Sequence, residues 1–315
     1  MPVRGRFAPS PTGLLHLGNV RTALLAWLDA RAAGGAFVLR VEDLDRARVQ
    51  PGAEAQQLAE LSWLGIDWDE GPDRGGPFLP YRQSERTNHY DAAIERLLAA
   101  KRAFLCACSR ADVARAASAP HDEQEPRYPG TCRDAEPDAT IARAAAQGRA
   151  PAVRFAGRGE RIGFHDEVHG AVAADPEGVD DFVLRRADGT AAYQLAVVVD
   201  DAAMEVTRVV RGDDLLRSTP RQIALYRALG RTPPAFAHVP LVVTRGGERL
   251  AKRTRPPTLA SLRDEGVAPE TIVGALAASA GLGAPGRAAF APALVDGFSL
   301  ASITREPVTV DLPAS

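Results

Sequence analysis

The sequence predicts an α/β fold in which an insertion separates the two halves of a parallel sheet. Strand and helix signals alternate through the first hundred residues, the rhythm breaks over 101–180, and it resumes as far as 235. Alternation of this kind favours parallel strands, because each crossover helix carries the chain back to the edge where it started.

Val3–Ala8 is a short strand ended by Pro9. Val20–Ala33 has helical periodicity and stops at Gly34-Gly35, a C-terminal signal. Phe37–Val41 is a buried strand running into Glu42-Asp43. Pro51 opens a helix over Ala53–Leu64, in the first-turn position where proline is tolerated, and Tyr90–Ala100 is another helix. In the middle, Ser118 to Pro126 reads as loop, and Val153–Phe155 and Phe182–Arg186 as short strands. Asp188-Gly189, between Phe182–Ala187 and Ala191–Val199, signals a hairpin. The strand Val206–Val210, the helix Pro220–Leu229 and the strand His238–Thr244 come next. A basic loop over 248–257 ends in Pro256-Pro257, and two short helices lie near Thr258–Asp264 and Pro269–Ala280. The Ala/Gly/Pro-rich tail beyond 281 carries no functional signal, and no repeat is present. The chain thus divides into 1–100, 101–180, 181–235 and 236–315.

Of the 315 residues, 45% are hydrophobic and 25% charged. That balance excludes bulk disorder, collagen and a coiled coil. The longest charge-free segment, 271–286, is mostly small residues and falls short of the roughly 18 apolar residues a membrane span requires. The opening Met-Pro-Val-Arg-Gly-Arg-Phe lacks the apolar core of a signal peptide, so a cytoplasmic location is expected. Three cysteines make no disulfide framework. Cys106-Ala107-Cys108 with Cys132 points to a reduced compartment and a metal site.

Net charge is −2, but residues 208–255 hold eleven Arg/Lys against three acids. A basic segment on an acidic body fits a phosphate-bearing ligand or a docking surface for RNA, and equally a solvated face. Only Lys101 and Lys252 are lysines, against 36 arginines. A lysine retained in such a sequence suggests a need for an ammonium rather than a guanidinium.

Pro9 to Asn19 joins the first strand to the first helix. Amides and dipole at a helix N-terminus attract anions. His16 stands where it can donate to a phosphate, and Gly18 lets a ligand approach the backbone. Taken alone, the same residues read rather as a capped turn with one surface histidine.

Longer segments resolve that ambiguity. Arg6-Phe7-Ala8-Pro9-Ser10-Pro11-Thr12-Gly13, His16-Leu17-Gly18-Asn19, Arg40-Val41-Glu42-Asp43-Leu44-Asp45, Ala192-Tyr193-Gln194-Leu195 and Val210-Arg211-Gly212-Asp213-Asp214-Leu215 closely resemble class I glutamyl-tRNA synthetases over roughly residues 4–255. His-Leu-Gly-Asn is similar to that family's "HIGH" signature. Arg249-Leu250-Ala251-Lys252-Arg253 stands where "KMSKS" belongs, with Ala251 replacing the serine and Arg249 the first lysine.

Only 62 residues follow Arg253, too few for a helical anticodon-binding domain. The chain resembles the truncated paralogues of the family, which attach glutamate to queuosine at the wobble position of tRNA(Asp). The resemblance implies a Rossmann-like nucleotide-binding fold with a zinc-bearing insertion and a short C-terminal helical part. It implies catalytic residues His16 and Lys252, ATP-binding by His16, Gly18 and Lys252, and glutamate-binding by Arg6, Phe7, Ala8, Pro9, Ser10, Glu42, Tyr193 and Arg211. One Zn²⁺ would be held by Cys106, Cys108, Tyr128 and Cys132, with His121 an alternative to the tyrosine, and Mg²⁺ would arrive with ATP. The implied partners are ATP, L-glutamate and queuosine-containing tRNA(Asp). A minimal glutamyl-tRNA synthetase charging a tRNA 3′ end, and a non-catalytic RNA-binding paralogue, are the alternatives. Asp43, Asp45, Asp200 and Asp201 read as strand-end or helix-cap residues.

Overall fold

The computed structural model describes residues 2–109, 111–113, 127–244, 246–247 and 258–311. Strands β1 (Arg4–Phe7) and β2 (Ala36–Leu39) are parallel, with Arg4 opposite Ala36 and Phe7 opposite Leu39. The crossover between them is α1 (Leu17–Ala32), in which every residue from Val20 to Ala30 except Thr22 is buried. A helix covered on all sides belongs at the centre of a fold. Its buried Arg21 ties it to later chain, donating to Pro240 O at 2.9 Å and Ser279 Oγ at 3.0 Å.

The chain continues through α2 (Ala53–Trp63) and α3 (Thr87–Ala99). Gly52, with φ 79°, forms the start of α2, so Pro51 lies just before the helix rather than inside its first turn. An antiparallel sheet comes next, ordered β3 (Ala103–Cys106), β4 (Ala152–Phe155), β7 (Val183–Arg185), with α4 (Pro137–Ala145) in its long connection. Strands β5 (Phe164–Asp166) and β6 (Gly170–Val172) fall within 101–180, yet they lie in the other sheet, where Asp166 pairs in parallel with Phe236.

The Asp188-Gly189 turn forms, with Arg186 N–H donating to Thr190 O at 2.9 Å, but only Arg185 and Ala191 bridge. Beyond this turn the chain forms no second hairpin strand; it enters α5 (Tyr193–Ala203) instead. Leu195, Ala196, Val197 and Val198 are all buried. A short apolar run covered on every side has no periodicity by which a helix and a strand can be told apart.

Next come β8 (Arg208–Gly212), α6 (Thr219–Ala228) and β9 (Ala235–Val239), with β8 and β9 parallel. Thr207 N–H donates to Arg4 O at 3.0 Å, so β8 runs beside β1 and the two halves of the α/β region meet there. Helices α7 (Leu259–Asp264) and α8 (Pro269–Ser279) follow. In the tail, Val308 bridges Val242 in parallel and braces the chain just beyond β9. Among the described residues, no helix is long and apolar enough to cross a membrane.

Candidate active site

His16 is the N-cap of α1. Its Nδ1 accepts the backbone N–H groups of Gly18 at 3.1 Å and Asn19 at 3.3 Å. An imidazole accepting at Nδ1 carries its proton on Nε2. Desolvation lowers the ring's pKa below the ordinary histidine value, which keeps it neutral. The side chain is therefore a fixed donor at the positive end of a helix dipole. A Cβ on Gly18 would lie 3.1 Å from the ring's Cε1 and Nδ1, so glycine there leaves the imidazole its place.

His16, Asn19 and the strand-exit residues Phe7, Ala8, Pro9 and Ser10 are among those lining a cleft of 380 Å³. Gln57 holds the lip, donating from Nε2 to Ser10 O at 3.1 Å and Gly13 O at 2.7 Å. The chain before and after the basic loop meets this turn. Val242 lies under Gly18, and Thr258 bridges His16. Lys252, with Arg249, Ala251 and Arg253, lies outside the described residues, as does His121.

Arg6, Glu42, Tyr193 and Arg211 come from four elements or their ends and converge. Tyr193, at the first position of α5 and 38% exposed, lies within electrostatic reach of Arg211, Glu42 and Arg6, and desolvation raises its phenol. Arg6 is buried, donates from Nη1 to Val210 O at 3.3 Å, and has its Nε 3.6 Å from Asp201. Glu42 accepts from Arg40 at 3.1 Å; desolvation raises its carboxyl against the opposing pull of Arg40 and Arg6.

Arg211 is 4% exposed and donates from all three of its nitrogens: Nε to His238 Nε2 at 3.0 Å, Nη1 to Gln222 Oε1 at 2.8 Å and Nη2 to Thr219 Oγ1 at 2.8 Å. Among the described residues no carboxylate pairs with it within 4 Å. A buried guanidinium held by neutral acceptors and lacking a counter-ion suits an incoming carboxylate.

Asp200 and Asp201 sit in the last turn of α5, not at a strand end or helix cap. Asp201 accepts from Arg40 at 2.6 Å. Asp200 accepts from Arg86 at 2.6 Å, Gln83 at 2.8 Å and the Tyr90 hydroxyl at 2.9 Å. They compensate the cations beneath the site. Asp43 instead accepts the Ser84 N–H at 2.8 Å and hydroxyl at 2.6 Å.

Sequence reasoning missed Arg40, Asp166, Thr219, Gln222 and His238. The signal for two of them was present: a lone Arg40 between Leu39 and Val41, and a lone His238 between Ala237 and Val239, are polar groups in strand segments that must be buried. The basic segment is partly spent internally: Arg208 pairs with Asp29 at 2.9 Å, Arg221 with Asp180 at 2.7 Å and Arg227 with Glu160 at 3.1 Å.

At the end of β3, Cys106, Cys108 and Cys132 place their sulfurs within 4.8 Å of one another. Cys108 and Cys132 are 3.5 Å apart, and the Tyr128 hydroxyl lies 3.4 Å from Cys106 and 3.6 Å from Cys108. Four ligands at about 2.3 Å from a tetrahedral zinc would have edges of about 3.8 Å, so this donor set fits the ion. The neighbouring thiols are split. Desolvation and Cys106 push Cys108 up to about 11, whereas hydrogen bonds from Tyr128 and Ala107 overcome desolvation and bring Cys132 down to about 7. Arg143, 2.6 Å from Cys132, and Arg154, 3.4 Å from Cys106, supply positive charge beside the sulfurs.

The sequence matches the family of class I tRNA synthetases (E and Q), catalytic domain, over residues 2–290, and the chain belongs to that family. It is accordingly an enzyme of the ligase class. A protein of Symbiobacterium thermophilum called glutamyl-Q tRNA(Asp) synthetase is 55% identical over 308 residues, covering 97% of this chain and 95% of that one. A Halorhodospira halophila glutamate–tRNA ligase is 45% identical, covering 88% of this chain and 58% of the ligase. Among solved structures, glutamate–tRNA synthetase from Elizabethkingia anophelis superposes with a TM-score of 0.84 at 30% identity, over 99% of this chain and 68% of that one.

Proposed function

We propose that this enzyme activates L-glutamate with ATP and transfers the glutamyl group to queuosine at the wobble position of tRNA(Asp). The glutamate assignment rests on one observation above all, the buried Arg211 with which no carboxylate among the described residues pairs within 4 Å, beside Arg6 and Tyr193. These groups suit the side-chain carboxylate, and Glu42 suits the ammonium. The queuosine assignment rests on the 55% identical relative, whose name carries that activity and whose length this chain spans almost completely.

In the first step the α-carboxylate of glutamate attacks the α-phosphorus of ATP and pyrophosphate leaves. The protein positions the reactants and stabilises charge on phosphate oxygens. His16 donates Nε2–H to those oxygens at the dipole end of α1, and Lys252 reaches the departing pyrophosphate. Mg²⁺ accompanies ATP. In the second step a ring hydroxyl of queuosine attacks the adenylate carbonyl, losing its proton as AMP leaves. Cys106, Cys108, Tyr128 and Cys132 would hold a zinc ion, which would tie the end of β3 to the segment carrying Tyr128 and Cys132.

The test is labelled glutamate, ATP and tRNA(Asp) with or without queuosine. Label confined to the queuosine-containing tRNA is expected. Equal label on both tRNAs points instead to the 3′ end, and the absence of any glutamate-dependent ATP–pyrophosphate exchange removes the synthetase reading.

A further inference from the structure

Beneath Arg211 lies a relay that the proposed chemistry has not used. His238 and Asp166 are fully buried, and their side chains meet at 2.6 Å between Nδ1 and Oδ2. Because Arg211 Nε can only donate, His238 Nε2 must accept, which puts the ring proton on Nδ1, facing Asp166. Asp166 is itself fixed: it accepts the backbone N–H groups of Val168 at 3.0 Å, His169 at 2.9 Å and His238 at 3.1 Å. The only anion in this chain of contacts therefore stands one imidazole away from the guanidinium. Thr219 Oγ1 closes the cage, 3.1 Å from His238 Nε2, and the Phe236 ring lies 5.3 Å from the guanidinium carbon.

A carboxylate in direct contact would hold Arg211 equally well, but it would neutralise the charge. Neutral acceptors fix the plane and keep the charge available. Of the five guanidinium N–H groups, three are taken by His238, Gln222 and Thr219. One remains on each terminal nitrogen, the pair that a bidentate carboxylate uses.

We propose that His238, its tautomer set by Asp166, is the positioning residue that presents Arg211, with which no carboxylate among the described residues pairs directly, to the substrate's side-chain carboxylate, and that the neutrality of the His238–Gln222–Thr219 cage is what selects an acidic amino acid over its amide. The inference rests on the glutamate reading above. Asp166 comes from β5, within the interval the sequence assigned to the insertion, so specificity at this site depends on a strand that joins the sheet from there.

Gln222→Glu tests the cage directly. The variant retains an acceptor for Nη1 and supplies a counter-ion, while its second oxygen takes the place of the Nε2 that donates to Gln194 Oε1 at 2.9 Å, so the Gln194 amide must turn to donate in return. The KM for glutamate is expected to rise about 10–100-fold, the scale of one charged hydrogen bond, with the KM for ATP within about twofold and preference over glutamine reduced. The melting temperature is expected to hold or rise. His238→Leu is expected to give the same KM split, and His238→Gln, which restores an acceptor to Arg211 Nε, to recover most of it. Unchanged glutamate KM in folded Gln222→Glu overturns the proposal, as does equal loss for glutamate and ATP. Should His238→Leu not fold, Gln222→Glu decides alone. Wild-type enzyme that activates no glutamate refutes the underlying reading instead.

Discussion

Replacing His16 separates two roles that one ring performs. Nδ1 accepts two amides, from Gly18 at 3.1 Å and Asn19 at 3.3 Å, and so caps α1. Nε2–H is left for the cleft. His16→Ala removes both functions. Loss of a side-chain cap costs about 0.5–2 kcal/mol. The half-buried position and the two bonds put this one near the middle, about 1 kcal/mol, a fall of about 1–2 °C in melting temperature for a chain of this size. Loss of a single donor to transition-state charge costs about 10²–10³ in rate. His16→Asn retains a good cap but is too short to put a donor where Nε2 stands. Asparagine is therefore expected to melt within about 0.5 kcal/mol of wild type while losing the same 10²–10³ in adenylate formation. Thermal melts and ATP–pyrophosphate exchange on both variants measure the two axes. Full activity in His16→Asn would show that the ring only caps the helix, and an Ala variant as stable as wild type would show that the cap contributes nothing.

Further expectations concern neighbouring features. Gly18→Ala should change stability by less than about 1 kcal/mol, because helix propensity gained offsets cap strain; its Cβ, 3.1 Å from the His16 ring, should still slow adenylate formation about tenfold, and wild-type rate would remove the steric argument. Asp200→Ala strands Arg86 in the interior and should cost about 3–5 kcal/mol, read by urea unfolding; a loss under 1 kcal/mol would contradict the assigned compensation. Burial lowers the pKa of His16, so the unfolded chain binds its proton first as pH falls. The stability from this residue is complete above the ordinary histidine value of about 6.5 and declines below it. The melting temperature should thus drop on acidification through pH 6.5 to 5.5, and less steeply in His16→Asn; parallel slopes would show that His16 is not responsible. Elemental analysis should find about one zinc per chain, removable by chelator with a lower melting temperature; metal-free protein purified without chelator would eliminate the site.

Most of the alternating elements, the His16 turn and the cysteine spacing were legible in local patterns of the sequence: a strand running into a proline turn, a Cys-x-Cys pair. Arg6, Glu42, Tyr193 and Arg211 were put forward by the resemblance to the synthetase family, and the fold brings them together. The helix after Ala192 was not legible as a helix, because Leu195–Val198 is buried on all sides and leaves no polar face to mark a period.

What only the tertiary structure decided is who compensates whom. Composition shows abundant arginines and aspartates, but it does not show that Asp200 and Asp201 are spent on Arg86 and Arg40 while Arg211 is left to neutral partners. Nor does it place Asp166 behind His238, 72 residues away in the chain. Residue identity sets which charges exist and where helices and strands can start. The free energy of a buried charge depends on atoms within a few ångströms, and those neighbours are fixed by how the strands assemble.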